Sequence, residues 1–153
     1  MFKGEPYIYG TSAGKYQYDE WISRVKIGSI DNASGASGYT DFTDISSNFQ
    51  LGYLNSVALE PGFSSHSYHE YWKIWIDFDG DGYFNDEEET IFSGHSYYPV
   101  YGFAGIPSDA KPGPTRMRVS MKYGSYPGPY ETFTWGEVED YTVYIDRPSC
   151  ASI

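Results

Sequence analysis

Between positions 77 and 88 the chain reads Asp77-Phe78-Asp79-Gly80-Asp81-Gly82-Tyr83-Phe84-Asn85-Asp86-Glu87-Glu88. Carboxylates recur at alternate positions, a glycine stands sixth and a glutamate twelfth. A tight turn with this spacing aims its side-chain oxygens at one point, where a hard divalent cation can gather about seven of them at roughly 2.3–2.6 Å. Asp77, Asp79 and Asp81 would supply carboxylates, Tyr83 its backbone carbonyl, and Asn85 a side chain acting directly or through water. Glu88 would close the shell with both oxygens. Gly82 permits the bend, and Phe84 holds the apolar position that anchors such a loop. Without an ion, carboxylates this close repel one another. Magnesium retains waters for which so many protein oxygens leave little room, so the expected ion is Ca2+.

Other residues able to do chemistry are less well arranged. His66 and His69 lie in "FSSHSYHEYW", within reach of His95 or Glu70, but their spacing is not that of a helix-borne zinc motif. They are expected at the surface. No G-x-S-x-G elbow is present, and the single cysteine, Cys150, has no histidine neighbour. The best-organised acidic cluster already belongs to the cation loop. The chain is therefore expected to be non-catalytic.

Aromatic side chains are the remaining lead. Tyr97, Tyr98, Tyr101 and Phe103 fall in one Gly/Pro/Tyr-rich stretch, residues 95–114, and Tyr126, Tyr130, Phe133 and Trp135 in another, residues 124–135, just after Tyr123. Both stretches are expected to be ordered surface loops, which tend to carry function. Flat amphipathic rings stack on the C–H faces of sugars and bury apolar area at little entropic cost. The candidate ligand-binding residues are Tyr97, Tyr98, Tyr101, Tyr126, Tyr130 and Trp135. Because long aliphatic residues are scarce, at least half of these rings are also expected to serve the core, Trp135 foremost.

The elements that must position these residues read as strands. Of 153 residues, 17 are Tyr, 9 Phe and 4 Trp, which favour strands, while 17 Gly and 9 Pro interrupt the chain too often for long helices. Strand runs are expected over residues 18–30, 39–42, 51–59 (closed by a turn at Pro61-Gly62), 71–78, 89–93, 115–123 and 138–145, with a loop over 31–38. Two runs alternate cleanly: Trp72, Ile74 and Ile76 against Tyr71, Lys73 and Trp75, and Met117, Val119 and Met121 against Arg116, Arg118 and Lys122. No helical period and no repeat occurs. Strand flanks exclude the helix-opening kind of calcium sensor and leave the ion a structural role. The expected architecture is all-β, a single antiparallel β-sandwich over residues 1–153 (jelly-roll or immunoglobulin-like), with the cation loop between strands.

The net charge of −11 disfavours nucleic acid, anionic lipid and sulfated glycans as partners. No stretch approaches the ~20 apolar residues of a spanning helix, so membrane insertion is not expected. The start "MFKGEPY" and end "RPSCASI" suggest a domain excised from a longer chain, with no signal peptide of its own.

Residues 135–143 read "WGEVEDYTV", which resembles the signature of the GEVED domain. "YDEWISRVKIGSIDNASGASGYTDFT", "WIDFDGDGYFNDEEE" and "PGPTRMRVSMKY" resemble that family's opening segment, acidic loop and basic strand in order, over about residues 7–146. The resemblance implies a secreted or surface-exposed bacterial accessory domain with a β-sandwich fold, linked to a catalytic domain such as a protease or polysaccharide-degrading enzyme. It implies no defined ligand. A cysteine usual after the first tyrosines of the family is Gly10 here, so a disulfide of some relatives is absent. Glu137, Glu139 and Asp140 are expected to meet Arg116 and Arg118 in a buried network between strands. Two readings of function stay open: a carbohydrate-binding module for neutral polysaccharide, and a protein-interaction or spacer module that binds collagen-like protein or packs on a neighbouring protease domain.

Overall fold

The computed structural model describes residues 8–148. Cys150 and the first seven residues lie outside them. Ten strands follow in chain order: β1 Ala13–Tyr16, β2 Glu20–Ile27, β3 Ile30–Ala33, β4 Tyr39–Gln50, β5 Leu54–Phe63, β6 Glu70–Ile76, β7 Thr90–Ser96, β8 Val100–Gly105, β9 Gly113–Tyr123 and β10 Thr132–Asp146. They form two sheets. One runs β1-β10-β9-β6-β7, with β4 also on β10; the other runs β3-β2-β5-β8. The sheets face each other as a β-sandwich, as the sequence predicts.

Side-chain alternation explains the core. From the first sheet, Trp72, Ile74 and Ile76, Met117, Val119 and Met121, and Tyr141, Val143 and Ile145 point inward; Ile22, Val25, Ile27, Val57 and Leu59 meet them from the second. A strand puts every second residue on one face, so these runs fill the interior as the pattern dictates. Most of the filling is aliphatic. This overturns the expectation that a chain poor in long aliphatics must place its loop aromatics inside: seven of those nine rings, Trp135 included, are exposed. The few Ile, Val and Leu are concentrated in strands and suffice. A second, smaller cluster covers the outer face of the first sheet, where Trp75 packs with Tyr9, Phe84 and Tyr130.

The topology departs from a purely antiparallel plan, because β1 and β4 both run parallel to β10. Several strand limits also differ from the sequence reading. The run over 18–30 is two strands joined by a tight turn, so part of the expected 31–38 loop is β3. The short strand at 39–42 extends to Gln50; its polar "TDISSNFQ" hides a strand on the edge of β10. Pro61 and Gly62 do not end β5 but lie inside it, opposite Ile22 and Trp21, where a register shift between Ile22 and Arg24 makes the irregular site that proline tolerates. Both expected loops contain strand as well. Tyr101 and Phe103 stand on β8, and Phe133 and Trp135 stand on β10. Among the described residues no helix is long and apolar enough to cross a membrane.

Candidate functional site

The acidic segment connects β6 to β7. Its first residue, Asp77, directly follows the buried end of β6 and is itself fully buried. Asp77 Oδ2 accepts from the Tyr9 hydroxyl at 2.6 Å and from the Gly82 amide at 2.9 Å, while Thr115 Oγ1 donates to its carbonyl at 2.7 Å. The bend at Gly82 requires φ of 83°, a left-handed conformation for which glycine is suited. Asp81 Oδ1 accepts from the Tyr83 amide at 3.0 Å. The carboxylate oxygens therefore fold back on the loop's own N–H groups, and the loop is shaped before any ligand is considered.

The carboxylates that converge are Asp77, Asp79 and Glu89, whose oxygens come within 4.8 Å of one another. These are the residues able to hold a metal. The acid that converges with Asp77 and Asp79 is Glu89, whereas Glu88, expected from the spacing, does not join them. Residues 86–88 form a turn in which Asn85 Oδ1 accepts from the amides of Glu87 and Glu88, at 3.0 and 3.1 Å. That turn leaves Glu88 exposed. It swings Glu89 inward, where its oxygens accept from the Phe78 and Asn85 amides, both at 2.8 Å. Burial pushes the Asp77 carboxyl up to about 6 and that of Glu89 to about 7, with neighbouring carboxylates adding to both. Asp79 and Asp81 are exposed, and Tyr83 is exposed with its ring stacked on Tyr130.

Phe84 anchors the loop as expected. It is fully buried, stacks on Tyr9 with centroids 5.0 Å apart, and its amide donates to the Tyr130 hydroxyl at 2.6 Å. Asp86 accepts from Trp75 Nε1 and from Lys73 Nζ, each at 2.9 Å. The same aromatic cluster carries the loop to the arginines of β9: the Arg116 guanidinium lies 4.7 Å above the Tyr9 ring, and that of Arg118 lies 5.1 Å above Phe84.

Arg118 is buried and grips Asp140 with two parallel bonds, Nε to Oδ1 at 2.8 Å and Nη2 to Oδ2 at 2.9 Å. Its other terminal nitrogen donates to the carbonyls of Gly10 and Pro129 at 2.8 Å each. Arg116 and the Tyr39 hydroxyl also reach Asp140 Oδ2, at 3.3 and 2.7 Å. The arginine network expected of the three acids is therefore made by Asp140 alone. Glu137 and Glu139 fall on the opposite face of β10, toward the second sheet. Glu137 accepts from the amides of Ile22, at 3.0 Å, and Ser37; Glu139 accepts from Tyr141 Oη at 2.6 Å and Ser34 Oγ at 2.7 Å. Strand alternation splits the acids, so one sequence run ties β10 both to its own sheet and across the sandwich.

This signature lies within the segment that a family model matches. The family model of the GEVED domain matches residues 71–144, from β6 through β10. These residues match the GEVED domain, in agreement with the resemblance of the signature. No curated protein matches the chain. The acidic loop, the β9 arginines and the buried acids of β10 all lie inside the matched GEVED segment.

The ligand candidates do not come together. Tyr97 stacks on His69 at 4.7 Å, and Tyr126 stands edge-on to Tyr71 at 4.9 Å, in a patch that also brings His69 Nε2 to His95 Nδ1 at 2.8 Å. Among the described residues no third ligating side chain joins these two histidines, and Glu70 points the other way, into the sandwich. Tyr130 is a support for the acidic loop. Tyr101 projects from β8, while Trp135 meets Tyr123 edge-on at 5.9 Å. Glu20, which opens β2, escaped the sequence reading, and Glu70, which opens β6, entered it only as a metal partner for the histidines; both are buried. Their position at strand starts on core-facing parity was the available signal.

Proposed function

We propose that this GEVED domain is a non-catalytic accessory module, secreted or held at a bacterial cell surface beside a catalytic domain, that binds neutral polysaccharide and is braced by Ca2+. The carrying observation is an aromatic pair on β8. Tyr101 and Phe103 are 71% and 69% exposed and, being two residues apart, share one face about 7 Å apart along the strand. They flank a groove of about 510 Å³ that Ser56, Ala58 and Lys26 also line. Small residues beside the projecting rings leave a shelf on which a sugar chain can lie. Ca2+ would be held by Asp77, Asp79 and Glu89, an all-oxygen set of the kind a hard cation takes. Its part would be to neutralise acids that the fold buries close together.

Titration of neutral polysaccharides, with and without chelator, tests the reading. Saturable binding that the Tyr101→Ala/Phe103→Ala double substitution removes, with no change in melting temperature, is the expected result. No captured glycan, or equal capture by the double variant, would sink it. The protein-contact reading keeps one support: Leu54, 71% exposed, extends the same surface with an aliphatic side chain that sugars do not favour.

A further inference from the structure

We propose that a pocket at the far end of β6 from the acidic loop binds a primary alkylammonium group of the kind that ends a lysine side chain. Glu20 and Glu70 are 3% and 0% exposed and stand on the inward faces of the two sheets, in line with Ile22 and Trp72. They meet where the apolar core runs out. Among the described residues no N–H or O–H group reaches Glu20 Oε1 or either oxygen of Glu70, and the two carboxyls face each other. In front of them lies a pocket of about 200 Å³ lined by Asp19, Glu20, Tyr68, Tyr123 and Trp135.

The walls are rings set at right angles. Tyr123 meets Tyr68 at 89° and Trp135 at 88°, with centroids 5.9 Å apart in both pairs. Register puts this cage over the acids, because Tyr123 of β9 sits directly opposite Glu70 of β6. Asp19 stands exposed at the rim, within 3.2 Å of the Ser64 hydroxyl.

The chemistry of the lining selects the ligand. It contains no Lys, Arg, Asn or Gln, so no cationic or amide side chain faces the acids; its side-chain donors are the phenol hydroxyls and the Trp135 indole N–H. An ammonium has three donors and no acceptor, and its charge is attracted to aromatic faces. A neutral sugar brings no positive charge to offset two buried carboxyls, whereas an ammonium does. A metal ion is poorly served as well: among the described residues only Asp77, Asp79 and Glu89 bring three ligand atoms together. Burial holds both carboxyls above their usual range. An incoming cation would let them ionise, whereas a purely structural plug would be better made of apolar side chains. The apolar stem of the ligand would lie between the rings. This site is separate from the β8 shelf, and it takes Trp135 out of the glycan set.

Titrating the whole chain with n-butylammonium chloride, and with n-butanol as the neutral match, followed by NMR, tests the proposal. Butylammonium should bind saturably and n-butanol at least about tenfold more weakly. Glu20→Gln and Trp135→Ala should each weaken butylammonium by about tenfold or more while melting as folded proteins. Trp135 is half-exposed, so that variant decides the matter even if Glu20→Gln proves unstable. Equal binding of n-butanol, undiminished binding to Trp135→Ala, or no saturable binding would each overturn the proposal. So would tighter binding of glucosamine than of Nα-acetyl-lysine methylamide.

Discussion

At the scale of single residues, the five-letter signature separates into distinct physical jobs. Gly136 has φ of 137°, and a Cβ there would lie 1.9 Å from the Met121 carbonyl oxygen. No side chain fits without moving β9 away from β10. Gly136→Ala is therefore expected to lower stability by about 2–4 kcal/mol, a loss that urea unfolding would register; a change below about 0.5 kcal/mol would contradict the close approach. Asp140 is held by a buried bidentate arginine, so removing one partner strands the other charge. Arg118→Ala should cost about 3–5 kcal/mol, and calorimetric unfolding of that variant gives the check.

Elements set which acid turns toward Asp77 and Asp79. The expected ligand at the twelfth position assumes a helix leaving the loop, whereas here a single turn at residues 86–88 delivers the chain to β7 and brings in the thirteenth residue. Glu89→Gln should therefore reduce the rise in melting temperature that Ca2+ produces, and Glu88→Gln should leave it nearly intact. Bound ligand at a hundredfold excess over its dissociation constant adds about 2.7 kcal/mol, enough for a rise of several degrees. The reverse ranking in a thermal scan would return the role to Glu88. This loop also shows how one element organises another. Phe84, Tyr9 and Tyr130 pack it against Arg118, so the acidic loop and the signature rest on one aromatic cluster.

For the whole molecule, the buried acids set a pH dependence. Burial raises Glu137 from 4.5 to about 8, outweighing the two amides that favour its ionised form, and the Glu20–Glu70 pair is raised as well. A carboxyl raised by folding contributes its full stability below its unfolded pKa. That contribution is lost as pH climbs through the folded value. Stability in denaturant should thus fall between about pH 5 and pH 8 or above, and Glu70→Gln should fall less steeply because its amide cannot ionise. A flat profile in the unsubstituted chain would refute the burial argument.

The sequence by itself determined the fold class, the alternating faces of β6 and β9, the acidic loop with its Phe84 position, and the family signature. Each of these is local: period-two alternation, a fixed oxygen spacing and a contiguous signature are written along the chain. Tertiary structure alone decided which aromatics stay outside, that Pro61 lies within a strand, and that Glu89 rather than Glu88 turns inward. It also decided that Glu20 and Glu70, fifty residues apart, face each other beneath a cage of rings. These depend on how two sheets are laid together and on what remains unfilled at their ends. Alternation gives the face a residue takes, but only the packed sandwich says what stands opposite.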